Sequence, residues 1–339
     1  MKIPRREGES VRKKLLENGL LDISLIIRSD GDHLLMPVVD PDSLEGMDLV
    51  LEEFEERDVP EKDYRNLVNL PDELRDQLPT SFDVVGDIAI IRLPEDLIDH
   101  AKDIGDALMK ALPRLRTVAL DRGVQGEFRV REVEVISGDD STTTYHTEFG
   151  LRFIVDVSRV YFNPRLANER RRVSSLVREG EHVIDMFAGV GPFSVMIAKY
   201  SSPRTVHAID LNSATIDLMK TNIEMNKVER VVPLLGDARE VIKDLPGANR
   251  IIMNLPHSAH EFLEDAAMAL DQGGVIHLYF ISERSESDEF VKDLISRLRE
   301  MDIDLDVARK EELKTYSPTM SVYSLDLVLT HRRCSSVRE

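Results

Sequence analysis

Cysteine is almost absent: one thiol, Cys334, stands in the polar tail HRRCSSVRE of a 339-residue chain. A single thiol builds neither a disulfide framework nor a Cys-based metal site within one chain, so Cys334 is expected to be an incidental exposed group. Long apolar runs are missing as well, and no stretch approaches the roughly 20 residues of a membrane helix. The start, MKIPRREGES, carries charge without an apolar segment behind it. No secretory signal is therefore expected, and the chain reads as cytoplasmic. Positive charge is also in deficit. A net charge of −19 argues against a surface coated in nucleic acid, because phosphate contacts need Lys and Arg where the backbone runs. Two local clusters stand out against that background: Lys2, Arg5, Arg6, Arg12, Lys13 and Lys14, and then Arg165, Arg170, Arg171 and Arg172. Each fits either a local track for a polyanion or a solvated helix face.

Hydrophobic residues at 42% and charged residues at 32% mark a globular chain, and its length exceeds the usual span of one core. A helix pattern from Glu7 stops at Asn18-Gly19, and DISLIIRSDGDHLLMPVV then gives two short strands around the Asp30-Gly31 turn. This αββ unit is expected over 1–48. The acidic stretch LEEFEERDVPEKD lies within an expected linker over 49–69. Segment 70–164 reads as an independent α+β module, with strands at 84–91, 117–120, 127–136 and 151–157 and a helical run at 95–112. From 165 to 339 strand and helix alternate, with strands at 182–186, 205–209, 230–235, 250–253 and 275–280. That rhythm predicts a doubly wound, mostly parallel sheet. Two further β runs, 303–309 and 321–329, suggest a terminal hairpin. The expected class is α/β.

The first strand of the alternating region runs into DMFAGVGPFS, from Asp185 to Ser194. A glycine turn between strand and helix lets the backbone approach a ligand at the carboxyl edge of such a sheet. Pro192 suits the first helical turn, where its missing N–H has no partner to lose. A dinucleotide site would place a third glycine where Ser194 stands, so a nicotinamide dehydrogenase is disfavoured. Asp185, just ahead of the turn, suits a cation better than a pyrophosphate. Asp210 ends the second strand about 20 residues past the turn, where a carboxylate accepts both ribose hydroxyls. Asp237, in LLGDAR, is placed to accept from an adenine amino group. Three acids and a glycine turn on one edge describe a site for S-adenosylmethionine, which carries an adenine, a ribose and a cationic sulfonium. Taken singly, each Asp also reads as a helix cap.

The fourth strand halts abruptly in IIMNLPHSAH, at Asn254-Leu255-Pro256. In a methyltransferase that modifies base nitrogens, an Asn/Asp-Pro corner puts an amide on the base edge and a proline on the turn. The competing reading is an ordinary Asn cap before a helix at 257–270. A single tail cysteine disfavours pyrimidine C5 methylation, which generally needs a cysteine nucleophile.

Together FDVVGDIAIIRLP, GEFRVREVEVISG, VYFNPRLANER, VIDMFAGVGPFS, HAIDLN, GDAR and IIMNLPHSAHEFL, from about residue 82 onward, resemble the archaeal-type tRNA (guanine-37 N1) methyltransferases. The αββ unit also looks like that family's small tRNA-docking domain. The resemblance implies a class I (Rossmann-like) methyltransferase fold, S-adenosylmethionine as cofactor, and tRNA with guanine at nucleotide 37 as partner. It also implies a catalytic pair, Arg129 from GEFR and Glu169 from NPRLANER. Asn254 and Pro256 would hold the base, with Tyr161 by the cofactor; Phe187, Gly189 and Gly191 belong to the glycine turn. Arg131, two residues on, competes with Arg129 for its role.

The chemistry suits that set. Guanine N1 bears a proton that must leave as a methyl arrives, and Glu169 is the expected base. Negative charge then develops on O6, where a guanidinium at Arg129 is stabilising. Without the family pattern, Glu169 reads as a helix-surface salt-bridge partner and Arg129 as a solvent-side strand residue. The nearest rivals use the same fold: aminocarboxypropyl transfer, or a bifunctional methyltransferase, of wybutosine-type modification. An RNA-binding module with a vestigial catalytic domain is a rival of another class. No carboxylate cage for magnesium is visible.

Overall fold

The computed structural model describes residues 1–44, 46–56, 61–125 and 130–332. Arg129 and Cys334 lie outside the described residues. The chain divides into two compact units, Met1–Leu67 and Val68–Glu339.

In the first unit, β1 (Lys2–Pro4), α1 (Gly8–Glu17), β2 (Arg28–Asp30) and β3 (His33–Leu35) form a three-stranded sheet, order β1-β3-β2, with one helix. The hairpin turns at Gly31, whose φ of 57° is open to glycine without strain. Strand β1 was not expected, because three residues carry no periodic signal. Met1, Ile3, Leu15, Leu21, Met36 and Leu44 fill the small core. The acidic stretch is no free linker along 52–56: Leu25 bridges Glu56, Ile26 N donates to Glu55 O at 2.9 Å, and Arg28 pairs with Glu52.

In the second unit, after the short α2 (Asp72–Arg75), a four-stranded sheet is built from β4 (Asp83–Val85), β5 (Ile88–Ile91), β6 (Thr117–Gln125) and β7 (Val130–Gly138). The run 84–91, read as one interrupted strand, is instead an antiparallel hairpin that turns at Gly86, φ 57°. Helix α3 (Ala101–Ala111) crosses over to make β5 and β6 parallel. A separate hairpin, β8 (Thr143–Glu148) and β9 (Leu151–Asp156), follows. Strand β8 escaped the sequence reading, since TTYHTE has no apolar alternation.

The alternating region forms a seven-stranded sheet of β10 (His182–Asp185), β11 (Thr205–Asp210), β12 (Val231–Leu235), β13 (Ala248–Met253), β14 (Leu270–Glu283), β15 (Ile303–Thr315) and β16 (Met320–Arg332). Its order is β12-β11-β10-β13-β14-β16-β15, parallel as far as β14 and antiparallel for the last two. Helices α4 (Ala167–Leu176), α5 (Pro192–Tyr200), α6 (Ser213–Asn226), α7 (Ala238–Val241), α8 (Leu263–Ala269) and α9 (Ser287–Arg299) connect the strands. This is the expected class I methyltransferase architecture, with the strand order reversing beside β10.

Segment 70–164 shares its core with the alternating region. Val85, Ile88, Phe153 and Val155 pack with Val190, Val195 and Met196. Two asparagines of α6 supply the polar seam. Asn222 exchanges hydrogen bonds with the backbone of Ile154 (2.7 and 3.2 Å), and Asn226 does so with Arg152 (2.9 and 2.6 Å). Each side-chain amide thereby satisfies a strand edge that would otherwise be left unpaired. Among the described residues, no helix is long and apolar enough to cross a membrane.

Candidate active site

The site grows from the turn after β10. Met186 N donates to Ile252 O at 3.0 Å and Ala188 N to Ile209 O at 2.8 Å, so the turn is sewn to both neighbouring strands. Gly189 (φ 55°) and Gly191 (φ 83°) hold the left-handed conformations that let it fold back on α5. Gly191 also has no room: a Cβ there would lie 2.7 Å from Met219 Cγ. Gly189 N donates to Asp210 Oδ2 at 2.7 Å, and Asn212 N donates to Asp210 Oδ1 at 2.9 Å. Asp210 thus ties the end of β11 to the glycine turn, and burial raises its carboxyl above the usual range.

A cavity of about 300 Å³ opens at this carboxyl edge. Tyr161, Phe187, Gly189, Asp210, Asn254 and Pro256, six of the residues singled out in the sequence, line it together. Phe187 is held edge-to-face by Phe262, with centroids 4.9 Å apart. Asn254 Oδ1 is buried and, among the described residues, has no hydrogen-bond partner. Pro256 O accepts from Ile281 N at 3.0 Å, which fixes the corner against β14.

Four other residues singled out in the sequence do not line the cavity. Asp185 is fully buried beneath the turn, where Ser194 Oγ donates to its Oδ2 at 2.8 Å. Burial pushes its carboxyl up to about 7; the Ser194 hydrogen bond opposes this and the charge of Asp210 adds to it. Asp185 therefore braces the turn rather than facing a cation across the cavity. Gly191 acts from behind, through backbone shape. Asp237 is exposed and caps α7, accepting from Arg239 N at 2.8 Å, as the cap reading had it. Glu169 is buried on α4, and both its oxygens are occupied. Oε1 accepts from Arg172 Nη2 (2.7 Å) and Tyr279 Oη (2.8 Å), and Oε2 from Arg172 Nε (2.7 Å).

The basic cluster at the start of α4 is split between buried and exposed side chains. Arg170 is buried, donating to Glu148 at 2.5 Å and to Asn163 O at 2.8 Å. Arg172 joins Glu169 to Asp326, whereas Arg165 and Arg171 are both exposed, Arg165 paired with Asp83 at 2.8 Å and Arg171 lying over the Tyr200 ring. In the N-terminal cluster Lys2 pairs with Asp30 and Arg12 with Glu9.

Further residues line the cavity, among them Arg131, which the sequence motifs set beside Arg129. Arg131 is paired to Asp83 at 2.9 Å and lies over the Tyr161 ring at 5.4 Å. Lys314 and Tyr316, at the end of β15 and just past it, line the cavity as well. Burial lowers the ammonium of Lys314 below its ordinary value. A strand-end i, i+2 pair is the one signal that would have found these two.

Comparison with known proteins agrees with this geometry. Family models match residues 1–44 (tRNA methyltransferase 5 N-terminal domain), 65–142 (TYW2 N-terminal domain) and 144–306 (TRM5/TYW2 methyltransferase domain). The tRNA (guanine(37)-N(1))-methyltransferase Trm5b of Pyrococcus abyssi is 43% identical over 96% of this chain and 97% of its own. A solved complex of aTrm5 and tRNALeu is 36% identical with a TM-score of 0.74, covering 96% of this chain and 98% of that one. Methanocaldococcus jannaschii Trm5 in complex with adenosine is 35% identical with a TM-score of 0.68, covering 97% and 98%. The chain belongs to the tRNA (guanine(37)-N(1))-methyltransferase family.

Proposed function

We propose that this chain transfers the methyl group of S-adenosylmethionine to N1 of guanine 37 in the tRNA anticodon loop. The observation that carries the reading is the buried, unpartnered Asn254 Oδ1 in the wall of a cavity that also contains Gly189 and Asp210. A buried acceptor left unpaired costs about 1–3 kcal/mol, so its natural complement is a donor on a ligand. A guanine edge offers such donors.

The cavity fits the cofactor at its other end. Asp210 would hold the ribose hydroxyls, with the Gly189 backbone, Phe187 and Tyr161 around it, and Asp185 and Gly191 shape the turn from behind. When bound, the cofactor supplies an electrophilic methyl group on a sulfonium. Asn254 accepts from and donates to the base edge, and Pro256 keeps it aimed. Glu169 takes the N1 proton; it does not line the cavity, so its carboxylate must give up part of its Arg172 and Tyr279 hydrogen bonding to reach the base. Arg129 offsets the charge developing on O6. Arg131 lies within the cavity wall and competes for that role. Residues 1–48 are assigned to tRNA docking, 49–69 to the connection, 70–164 to the α+β part and 165–339 to catalysis. With tRNA as substrate, we place the reaction in the cytoplasm.

The test is methyl transfer from labelled S-adenosylmethionine to full-length tRNA transcripts bearing guanine or adenine at nucleotide 37, with mass analysis of the nucleosides. N1-methylguanosine from the guanine transcript alone is expected. A product heavier by an aminocarboxypropyl group would move the chain to the wybutosine-type activity, and cofactor binding without any product would leave a binding role.

A further inference from the structure

The cavity wall contains two tyrosines that keep much of their surface exposed, Tyr161 at 42% and Tyr316 at 52%. They have different neighbours. The Tyr161 backbone lies beside Gly189, 3.8 Å from where a Cβ would be, which places it at the glycine turn. Tyr316 meets His257, the residue after Pro256, edge-on with centroids 5.4 Å apart and planes at 77°. It therefore belongs to the Asn254 corner.

The seat of Tyr316 is braced. Tyr316 N and Ser317 N both donate to Met320 O, at 2.9 and 3.1 Å, closing the tip between β15 and β16. Arg284 holds that tip from outside, donating to Pro318 O at 2.8 Å and Thr315 Oγ1 at 2.9 Å. A large ring held in place yet half uncovered contributes less to the fold than it would buried. A π-face fixed at the mouth of a cavity is suited to a planar ligand.

We infer that Tyr316, backed by His257, is the stacking face that receives the guanine once it leaves the anticodon loop. The inference rests on the function proposed above. A base that leaves its stack loses contact with both neighbours, and an aromatic side chain restores part of that contact whatever the base. Recognition of the guanine edge then falls to Asn254, while Tyr316 contributes capture. The tyrosine is thus a base-binding residue beside the Asn254 corner.

The experiment uses the full chain with Tyr316→Ala and Tyr316→Phe, and a transcript with guanine at nucleotide 37. Single-turnover methyl transfer, S-adenosylmethionine affinity by calorimetry, and the fluorescence of 2-aminopurine placed beside nucleotide 37 are read together. The alanine variant is expected to lose roughly ten- to a hundred-fold in transfer and the fluorescence rise, with cofactor affinity and melting temperature unchanged. The phenylalanine variant should keep both. Transfer by Tyr316→Ala within about twofold of wild type would overturn the inference, as would an equal loss in Tyr316→Phe, which would mean a hydroxyl contact. A wild-type chain that binds S-adenosylmethionine but methylates no guanine would overturn the function itself, a different outcome.

Discussion

Glu169 and Arg172 are locked in a two-point ion pair, and the same guanidinium reaches across to Asp326 at 2.8 and 3.1 Å. One cation thus serves two largely buried carboxylates. The Arg172 guanidinium and the His277 ring hold the Asp326 carboxyl well below its usual range, against the effect of burial. Removing the cation would leave Glu169 with only the Tyr279 hydroxyl and Asp326 with only the His277 ring, two largely buried acids without their guanidinium, a change that costs about 3–5 kcal/mol in comparable pairs. Arg172→Met should therefore unfold at markedly lower urea. Glu169→Gln, by contrast, keeps an acceptor and a similar shape; it should bind S-adenosylmethionine as wild type does while losing methyl transfer. Undiminished single-turnover transfer by Glu169→Gln would remove Glu169 as the base.

Asp210 and Asp237 both follow strands at the same sheet edge, yet only Asp210 lines the cavity. Asp210→Ala removes the acceptor for Gly189 N and Asn212 N as well as the expected ribose contact. Calorimetry should show S-adenosylmethionine affinity falling at least about tenfold, the equivalent of one charge-assisted hydrogen bond. Asp237→Ala should leave affinity unchanged and cost about 1 kcal/mol of stability through the lost cap.

Gly191 combines a positive φ with a filled space. Gly191→Ala adds left-handed strain and pushes against Met219, a side chain that can yield only partly because it is fully buried. A loss of about 1–3 kcal/mol is expected, read as a lowered melting temperature. Gly189→Ala keeps the strain without the clash, since the nearest atom to its Cβ is the Tyr161 carbonyl at 3.8 Å. It should cost less.

Asp185 gives a pH signature. Its folded carboxyl is raised from 3.8 to about 7, mainly by burial, so between those values the folded chain holds a proton that the unfolded chain has lost. The stability this contributes is fully present below the unfolded value and disappears as pH rises through about 7. Asp185→Asn, which stays neutral, should therefore gain on wild type as pH rises from 4 to 7 in urea titrations. A constant difference across that range would show that the wild-type carboxyl is ionised throughout.

Much of the fold was legible because parallel strands buried on both faces leave continuous apolar runs, such as IIM before Asn254, and Gly or Asp marks their ends. The strands missed, β1 and β8, are short or polar and take their form from partners rather than pattern. The glycine turn, Asp210, Asn254 and Pro256 could be found in the sequence because each is a backbone requirement or sits at a strand end, and position along the chain dictates both. What the chain could not announce is which side chains turn inward and whom they meet. Asp185, Asp237 and Glu169 look alike as acids near strand or helix ends, yet one lies beneath a turn, one caps a helix in solvent and one is claimed by Arg172 and Tyr279. Tyr279 is 110 residues away from Glu169. Tyr316 joins the site only because β16 inserts between β14 and β15 and carries the hairpin tip to His257. Local sequence fixes backbone preference and apolar period; burial and charge pairing between distant segments are decided when the sheet closes.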